Sequence, residues 1–331
     1  MPRLNSLRGL LIFFVGTFLS SSINCLDSQH CSSSHLHHSA TATVVSNKQM
    51  TPAVEAISHD AVTLALAKKE SAHHYEGMQE LYNSLRKRPL LIQAYTLHDE
   101  SSPPATDKNV KIVHFLRHGQ GFHNLMADMA AAQGREWTQF QHTPENPYVM
   151  QEIVDAPLTQ KGRNQARAVQ TIIHQMENQP ELIVLSTHCR ALQTGLIAFE
   201  HLINDDADAV EFIAHEMVRE ETGVHVCDQR RPKTQQALDF PHVNFDLVLD
   251  EEDMLFRVDR RETKMEIGER IYQFLDWLAD RDETHVGVAS HSGWLMTLFN
   301  GAVECEDSLK EWFQTGELRS VKLVFVQNEA A

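Results

Sequence analysis

The sequence predicts an α/β fold with a mainly parallel central sheet. Three observations carry that expectation. Short apolar and β-branched runs recur at 112–116, 182–185, 210–213 and 285–289. Segments with helical periodicity alternate with them. Histidines and arginines stand immediately beyond three of the runs, where sites in open α/β sheets gather at the carboxyl ends of strands.

At the amino terminus, residues 1–25 carry Arg3 and Arg8, an apolar run over 10–19, then Ser20, Ser21 and Ser22, the three-part layout of a secretory signal. That run is too short to span a bilayer, so no stable membrane span is expected. The layout predicts passage into the secretory pathway, ending in secretion or signal-led organelle import; a non-functional leader would leave the chain cytoplasmic. Residues 26–52, rich in Ser, Thr and His, read as a low-complexity linker. Residues 53–104 read as an N-terminal helical extension and linker. Pro52 falls at the first turn, Val54, Ile57, Ala61, Leu64, Met78, Leu81 and Leu85 form an apolar stripe, Pro89 ends it, and Ser101-Ser102-Pro103-Pro104 joins it to the rest. Residues 105–331 are then the catalytic domain.

The 331 residues allow one large α/β domain with appendages. A formal charge of −16 argues against a nucleic-acid partner, because a polyanion is repelled by acidic surface. Five cysteines are too few and scattered for a disulfide framework, and no N-glycosylation sequon occurs.

The first strand, 112–116, runs into Arg117-His118-Gly119-Gln120-Gly121-Phe122-His123-Asn124. A histidine held at one ring nitrogen by a backbone carbonyl can present the other as a nucleophile, and an arginine beside it suits a phosphate. The pair suggests phosphoryl transfer to His118. A helix-permissive stretch, 122–132, and a polar excursion, 133–151, follow. Thr159 is an N-cap for a helix carrying Ala166, Val169, Ile172 and Ile173 inward. The second strand leads to Arg190, at the head of a helix with Leu192, Leu196 and Phe199; that arginine either binds phosphate with the helix N-terminus or pairs with an acid. The third leads to Glu216, Arg219, Glu220 and Glu221. Asp250-Glu251-Glu252-Asp253 reads as a solvated turn, and 262–279 as an amphipathic helix with Met265, Ile271, Phe274, Leu275 and Leu278 on its apolar side. The fourth strand delivers a second histidine, His291, and 320–326 reads as a closing edge strand.

These motifs, in this order, identify the chain from about 111 to 326 as resembling the phosphoglycerate-mutase-like branch of the histidine phosphatase superfamily. Leu116-Arg117-His118-Gly119 with Asn124 resembles its opening motif, 155–162 with Gln165-Ala166 its capped helix, Ser186, Arg190, Ala191 and Thr194 its second phosphate-pocket motif, and Ser290-His291-Ser292-Gly293 its closing one. The resemblance implies a three-layer α/β/α sandwich, a phosphohistidine at His118, and Arg117, Arg190 and His291 neutralising the phosphoryl oxygens, with Asn124 as a further donor. It implies Glu220 as general acid, with Glu221 as fallback, and no cofactor or metal. The substrate class is a small phosphorylated metabolite.

The departures matter. Glu220-Glu221-Thr222-Gly223 lacks the Arg-His-Tyr run of true mutases, whereas 223–231 resembles plant and fungal mutase-like proteins of phosphatase type, with Arg230 or Arg231 either reaching a distal anion or forming surface salt bridges. The acid-phosphatase branch fits less well, since Ser292 rather than Asp follows His291. The expected activity is hydrolysis of small phosphomonoesters. The alternatives are a phosphoglycerate mutase and a catalytically silent phosphate-binding or scaffold protein.

Overall fold

The computed structural model describes residues 75–135, 142–203 and 209–328, all within the second of two units into which the chain divides, His59–Ala331. The leader, the linker and the helix expected before residue 75 lie outside the described residues. In chain order the main elements are α1 (Met78–Leu85), β1 (Leu90–Thr96), β2 (Val110–Arg117), α2 (Phe122–Ala132), α3 (Gln160–Ile173), β3 (Leu182–Leu185), α4 (Cys189–Ala198), β4 (Glu211–Ala214), α5 (Lys233–Asp239), α6 (Lys264–Ala279), β5 (His285–Ser290), α7 (Ser292–Thr297) and β6 (Leu318–Gln327).

The four strands legible in the sequence pair in parallel as β2-β5-β3-β4. The two-residue period of a strand sorts their side chains between two cores. Val113 and Phe115 of β2 pack with Leu81, Ile271, Phe274 and Trp294 of α1, α6 and α7. Leu116, with Ile183 and Leu185 of β3, packs with Val169, Ile173 and Leu192 of α3 and α4 on the opposite face. Helices therefore cover both faces, giving the expected three layers.

Two expectations at the sheet margin need correction. Residues 78–96, read as an extension ahead of the domain, belong to it. β1 pairs antiparallel with β6 from Leu90↔Gln327 to Thr96↔Val321, burying Leu90, Ile92 and Ala94. Consequently β6 is not an edge. It lies between β1 and β2, antiparallel to both, and the sheet order is β1-β6-β2-β5-β3-β4.

The helix starts follow local chemistry. The Thr159 hydroxyl accepts from the Gly162 N–H at 3.1 Å and caps α3 as expected. On that helix Ala166, Val169 and Ile173 are buried, but Ile172 is 54% exposed, one position off the inward face. Thr263 and Glu266 form a reciprocal capping box that sets the start of α6.

Candidate active site

Sheet register assembles the site. Arg117 ends β2 opposite Ser290 at the end of β5, and the His118 N–H donates to the Ser290 carbonyl at 3.0 Å. This brings the His118 and His291 rings to a centroid separation of 5.0 Å. β3 lies next to β5, so 186–190 opens at the same carboxyl end. There a cavity of ≈ 170 Å³ is lined by Arg117, His118, Asn124, Arg190, Glu220 and others, with His291 packed against the lining residue His118. All six residues expected from the sequence are thus brought together.

His118 is buried. Its Nδ1 donates to the Gly119 carbonyl at 2.7 Å and its Nε2 accepts from the Arg190 Nε–H at 3.3 Å, which assigns the neutral tautomer with its lone pair on Nε2. Burial first, then Arg190 and Arg117, hold its pKa well below the ordinary histidine range. At neutral pH this imidazole is a free base.

The arginines differ in what they can offer. Arg117 donates through Nη1 to the Phe313 carbonyl at 2.7 Å and lies 5.6 Å from the Trp312 ring centre. Burial lowers its pKa to about 10 against the pull of Glu220, so it stays cationic. Arg190 gives Nη1 to the Cys227 carbonyl at 2.6 Å and Nη2 to Asp228 Oδ1 at 2.7 Å. Burial, the largest influence, opposes its charge, but Asp228 together with Cys227 and Glu220 more than offsets it and raises the pKa. Of the two alternatives left open for Arg190, the structure shows the pairing with an acid, buried rather than at the surface, and it leaves the Nε facing His118.

The histidines do not share the positive charge expected of them. His291 Nε2 lies 2.7 Å from Ser186 Oγ and 3.3 Å from His188 Nδ1, and burial, then Arg190 and His118, keep it uncharged near neutral pH. Arg117 Nε, His123 Nδ1 and His291 Nδ1 are buried without a hydrogen-bond partner among the described residues. Such unmet groups cost about 1–3 kcal/mol each, a cost that an anion's oxygens would offset wherever an N–H is the group presented.

Glu220 reaches the cavity from the loop after β4. Its Oε1 accepts from the N–H groups of Glu221 at 3.0 Å and Trp294 at 3.2 Å, and its Oε2 from the Ser292 hydroxyl at 3.3 Å. Burial and then Asp228 raise its pKa, with Arg190 opposing. Gly293 permits this approach, because a Cβ there would lie 2.5 Å from Oε1. Glu221, the fallback acid, is instead held by Lys264 Nζ at 2.5 Å and Arg261 Nε at 3.3 Å. Asn124 lines the cavity, and its Oδ1 accepts from the Gly121 N–H at 3.0 Å, which leaves its NH2 as the group it can offer a ligand.

Neither Arg230 nor Arg231 lines the cavity. Arg230 is buried among the carbonyl oxygens of Asp250, Glu251 and Glu252, and Arg231 pairs with Asp155 and Asp239. The acidic run at 250–253 is not simply solvated either, since the Asp253 side chain is 1% exposed and binds Arg219 at 2.5 Å.

Asp228 was missed by the sequence reading. It binds Arg190, takes Arg261 Nη1 at 2.8 Å and lies 3.6 Å from His225 Nδ1. Burial pushes its carboxyl up, but His225, Arg261 and Arg190 more than offset that and hold it well below the usual range. The turn that delivers it is strained. Val224 has φ 60, rare for a β-branched residue, and a Cβ on Gly223 (φ +95) would lie 1.9 Å from the Arg260 carbonyl oxygen. The one available signal was an acid embedded in Cys227-Asp228-Gln229-Arg230-Arg231.

The family described as histidine phosphatase superfamily (branch 1) matches residues 113–330. Phosphoglycerate mutase-like protein 1 of Arabidopsis thaliana is 30% identical over 243 residues, covering 65% of this chain and 81% of the relative. Probable phosphoglycerate mutase of Arthroderma benhamiae is 25% identical over 231 residues, covering 68% of each chain. Among solved structures, the alpha-ribazole phosphatase from Shigella flexneri aligns with a TM-score of 0.40 and 15% identity, over 66% of this chain and 97% of that one. The family match runs from within β2 into the residues after β6 and takes in every strand-end motif of the cavity, which makes this chain a member of the phosphoglycerate-mutase-like branch of the histidine phosphatase superfamily.

Proposed function

We propose that the chain is a phosphatase hydrolysing small phosphomonoesters through a phosphohistidine at His118. Family membership supports a phosphatase or a mutase. The finer reading rests chiefly on one observation, the neutral His118 whose Nδ1 is tied to a carbonyl and whose Nε2 lone pair faces the Arg190 guanidinium.

In the first step Nε2 attacks phosphorus, the bond from phosphorus to the alcohol oxygen breaks, and Glu220 gives that oxygen its proton. In the second, ionised Glu220 takes a proton from water, the water oxygen attacks phosphorus, and the nitrogen–phosphorus bond breaks to release inorganic phosphate. Arg117 and Arg190 carry the charge spread over the transferring oxygens, with His291 and Asn124 as neutral donors.

The test is phosphate release from a panel of sugar, glycerate and nucleotide monophosphates, with quench-trapping of an acid-labile phosphoenzyme. His118→Ala should abolish both signals, and unchanged release from that variant overturns the assignment. The mutase reading, which the relatives' names favour, predicts conversion of 3-phosphoglycerate to its 2-phospho isomer in the presence of a bisphosphate primer. We also infer passage through the secretory pathway from the leader. N-terminal sequencing of the natural protein should find cleavage near residue 25, and an intact Met1 counts against it.

A further inference from the structure

A triangle of polar atoms beside His118 holds one proton too few for an anion site. Ser186 Oγ lies 2.7 Å from His291 Nε2 and 3.3 Å from His188 Nδ1, and those two ring nitrogens are 3.3 Å apart. All three residues are fully buried. The far side of the His188 ring is fixed, because its Nε2 lies 2.9 Å from the Asp228 carbonyl oxygen, which only accepts. A neutral His188 therefore carries its proton on Nε2 and turns the Nδ1 lone pair into the triangle.

Two neutral arrangements of the remaining protons exist. With the His291 proton on Nε2, that N–H donates to Ser186 Oγ, the hydroxyl donates to His188 Nδ1, and Oγ still accepts the His188 backbone N–H at 3.4 Å. Every contact in the triangle is then satisfied. His291 Nδ1, however, buried without a hydrogen-bond partner among the described residues, is a bare lone pair with nothing to donate to a phosphoryl oxygen. With the proton on Nδ1 instead, His291 is a donor, and the Ser186 hydroxyl serves His291 Nε2. The lone pair of His188 Nδ1 is then left facing that of His291 Nε2 across 3.3 Å. One added proton, placed between those two nitrogens, satisfies both demands at once.

Resting on the phosphate-binding reading of the cavity, we propose that His188 is a positioning residue that holds this added proton against His291, so that the site takes up one proton from solvent with each dianionic phosphoryl group it binds. The surrounding charges agree. Arg190, Arg219, Asp228 and Asp253 face His188, and Arg190, His118 and Asp228 face His291. Burial and then Arg190 hold both rings well below the ordinary histidine range, so the pair is uncharged near neutral pH. A dianion beside His291 opposes the field of Arg190 and favours the protonated pair. His291 keeps its Nδ1–H for the phosphoryl oxygen.

Tungstate, a tetrahedral dianion that does not itself titrate near neutral pH, is the probe. Titration calorimetry into the full chain carrying Glu220→Gln, which removes that acid's own proton uptake, counts the protons bound when run near pH 7.5 in two buffers of different ionisation enthalpy. About one proton should enter per tungstate, and affinity should fall about tenfold between pH 7 and 8. Adding His188→Leu removes the acceptor, while the Asp228 carbonyl keeps Arg219 Nη2 at 3.0 Å and the Thr222 hydroxyl at 3.4 Å. The count should then drop by about one with tungstate still bound, whereas a merely structural His188 would change affinity and leave the count alone. Imidazole nitrogen resonances of the Glu220→Gln chain should show a ring passing from one to two protonated nitrogens on adding tungstate, and they decide if His188→Leu does not fold. A count below about half a proton, a count that His188→Leu leaves unchanged, or spectra in which tungstate protonates no ring overturns the proposal. Tungstate that binds without a proton removes only the role of His188 and leaves the phosphate site standing; tungstate that fails to bind removes both.

Discussion

Replacing Glu220 with glutamine removes an acidic proton and little else. Oε1 accepts from the Glu221 and Trp294 N–H groups, which an amide oxygen does equally well, and the amide NH2 at the Oε2 position can donate to the Ser292 hydroxyl that formerly donated. Stability should therefore shift by less than about 1 kcal/mol. The rate should respond strongly. General acid catalysis contributes about 10²–10⁴-fold, but only where the leaving oxygen is too basic to depart unprotonated. The parameter to compare is kcat/KM, which reports the steps up to phosphohistidine formation. It should fall by about 10²–10⁴ on glycerol 3-phosphate and by less than about tenfold on p-nitrophenyl phosphate, whose leaving group is a stable anion. The variant should also give a burst of nitrophenolate equal to the enzyme concentration, because water attack then lacks its base.

The pH profile supplies the sign. Burial and Asp228 raise the Glu220 pKa, so its active protonated form persists toward neutral pH, and kcat/KM on the alkyl ester declines as pH rises through that raised value. This alkaline limb should be absent in Glu220→Gln. Equal losses on the two esters, or a limb that survives in the variant, would refute the assignment of Glu220 as acid.

Three further outcomes follow from the same geometry. Gly293→Ala places a Cβ 2.5 Å from Glu220 Oε1, so turnover of alkyl esters should drop by about tenfold or more, with a smaller loss on p-nitrophenyl phosphate. A chain beginning at residue 105 loses the whole β1 ladder with β6 and uncovers the core beneath Leu81; it should show no cooperative thermal transition where the full chain shows one. Arg219→Ala strands buried Asp253 and should cost about 3–5 kcal/mol in urea denaturation. Arg219 overcomes burial to hold Asp253 at about 2, so its stabilisation is present above the carboxyl's unfolded value of about 3.9 and is lost as pH falls toward 2. The fall in urea midpoint across that acid window should be shallower in the variant.

The sequence by itself determined what is local. An apolar run ending in Arg117-His118-Gly119 is a buried strand and its carboxyl end wherever it is placed, and the same holds for the runs that lead to Arg190 and His291. Thr159 caps α3 through a hydrogen bond to a residue three positions away. The tertiary structure decided what depends on distant partners. β1 became a strand because β6, more than two hundred residues later, offers it a ladder; its half-buried pattern behind Pro89 resembled a linker. The same applies to charge. Arg190 meets Asp228 38 positions away, Lys264 meets Glu221 43 away and Arg219 meets Asp253 34 away. An acidic run or an arginine pair looks solvated in one dimension, and only the folded chain shows which charges are buried together. The burial that holds His118 neutral and pushes Glu220 upward is likewise a property of assembly, so residue identities were legible early and their protonation states were not.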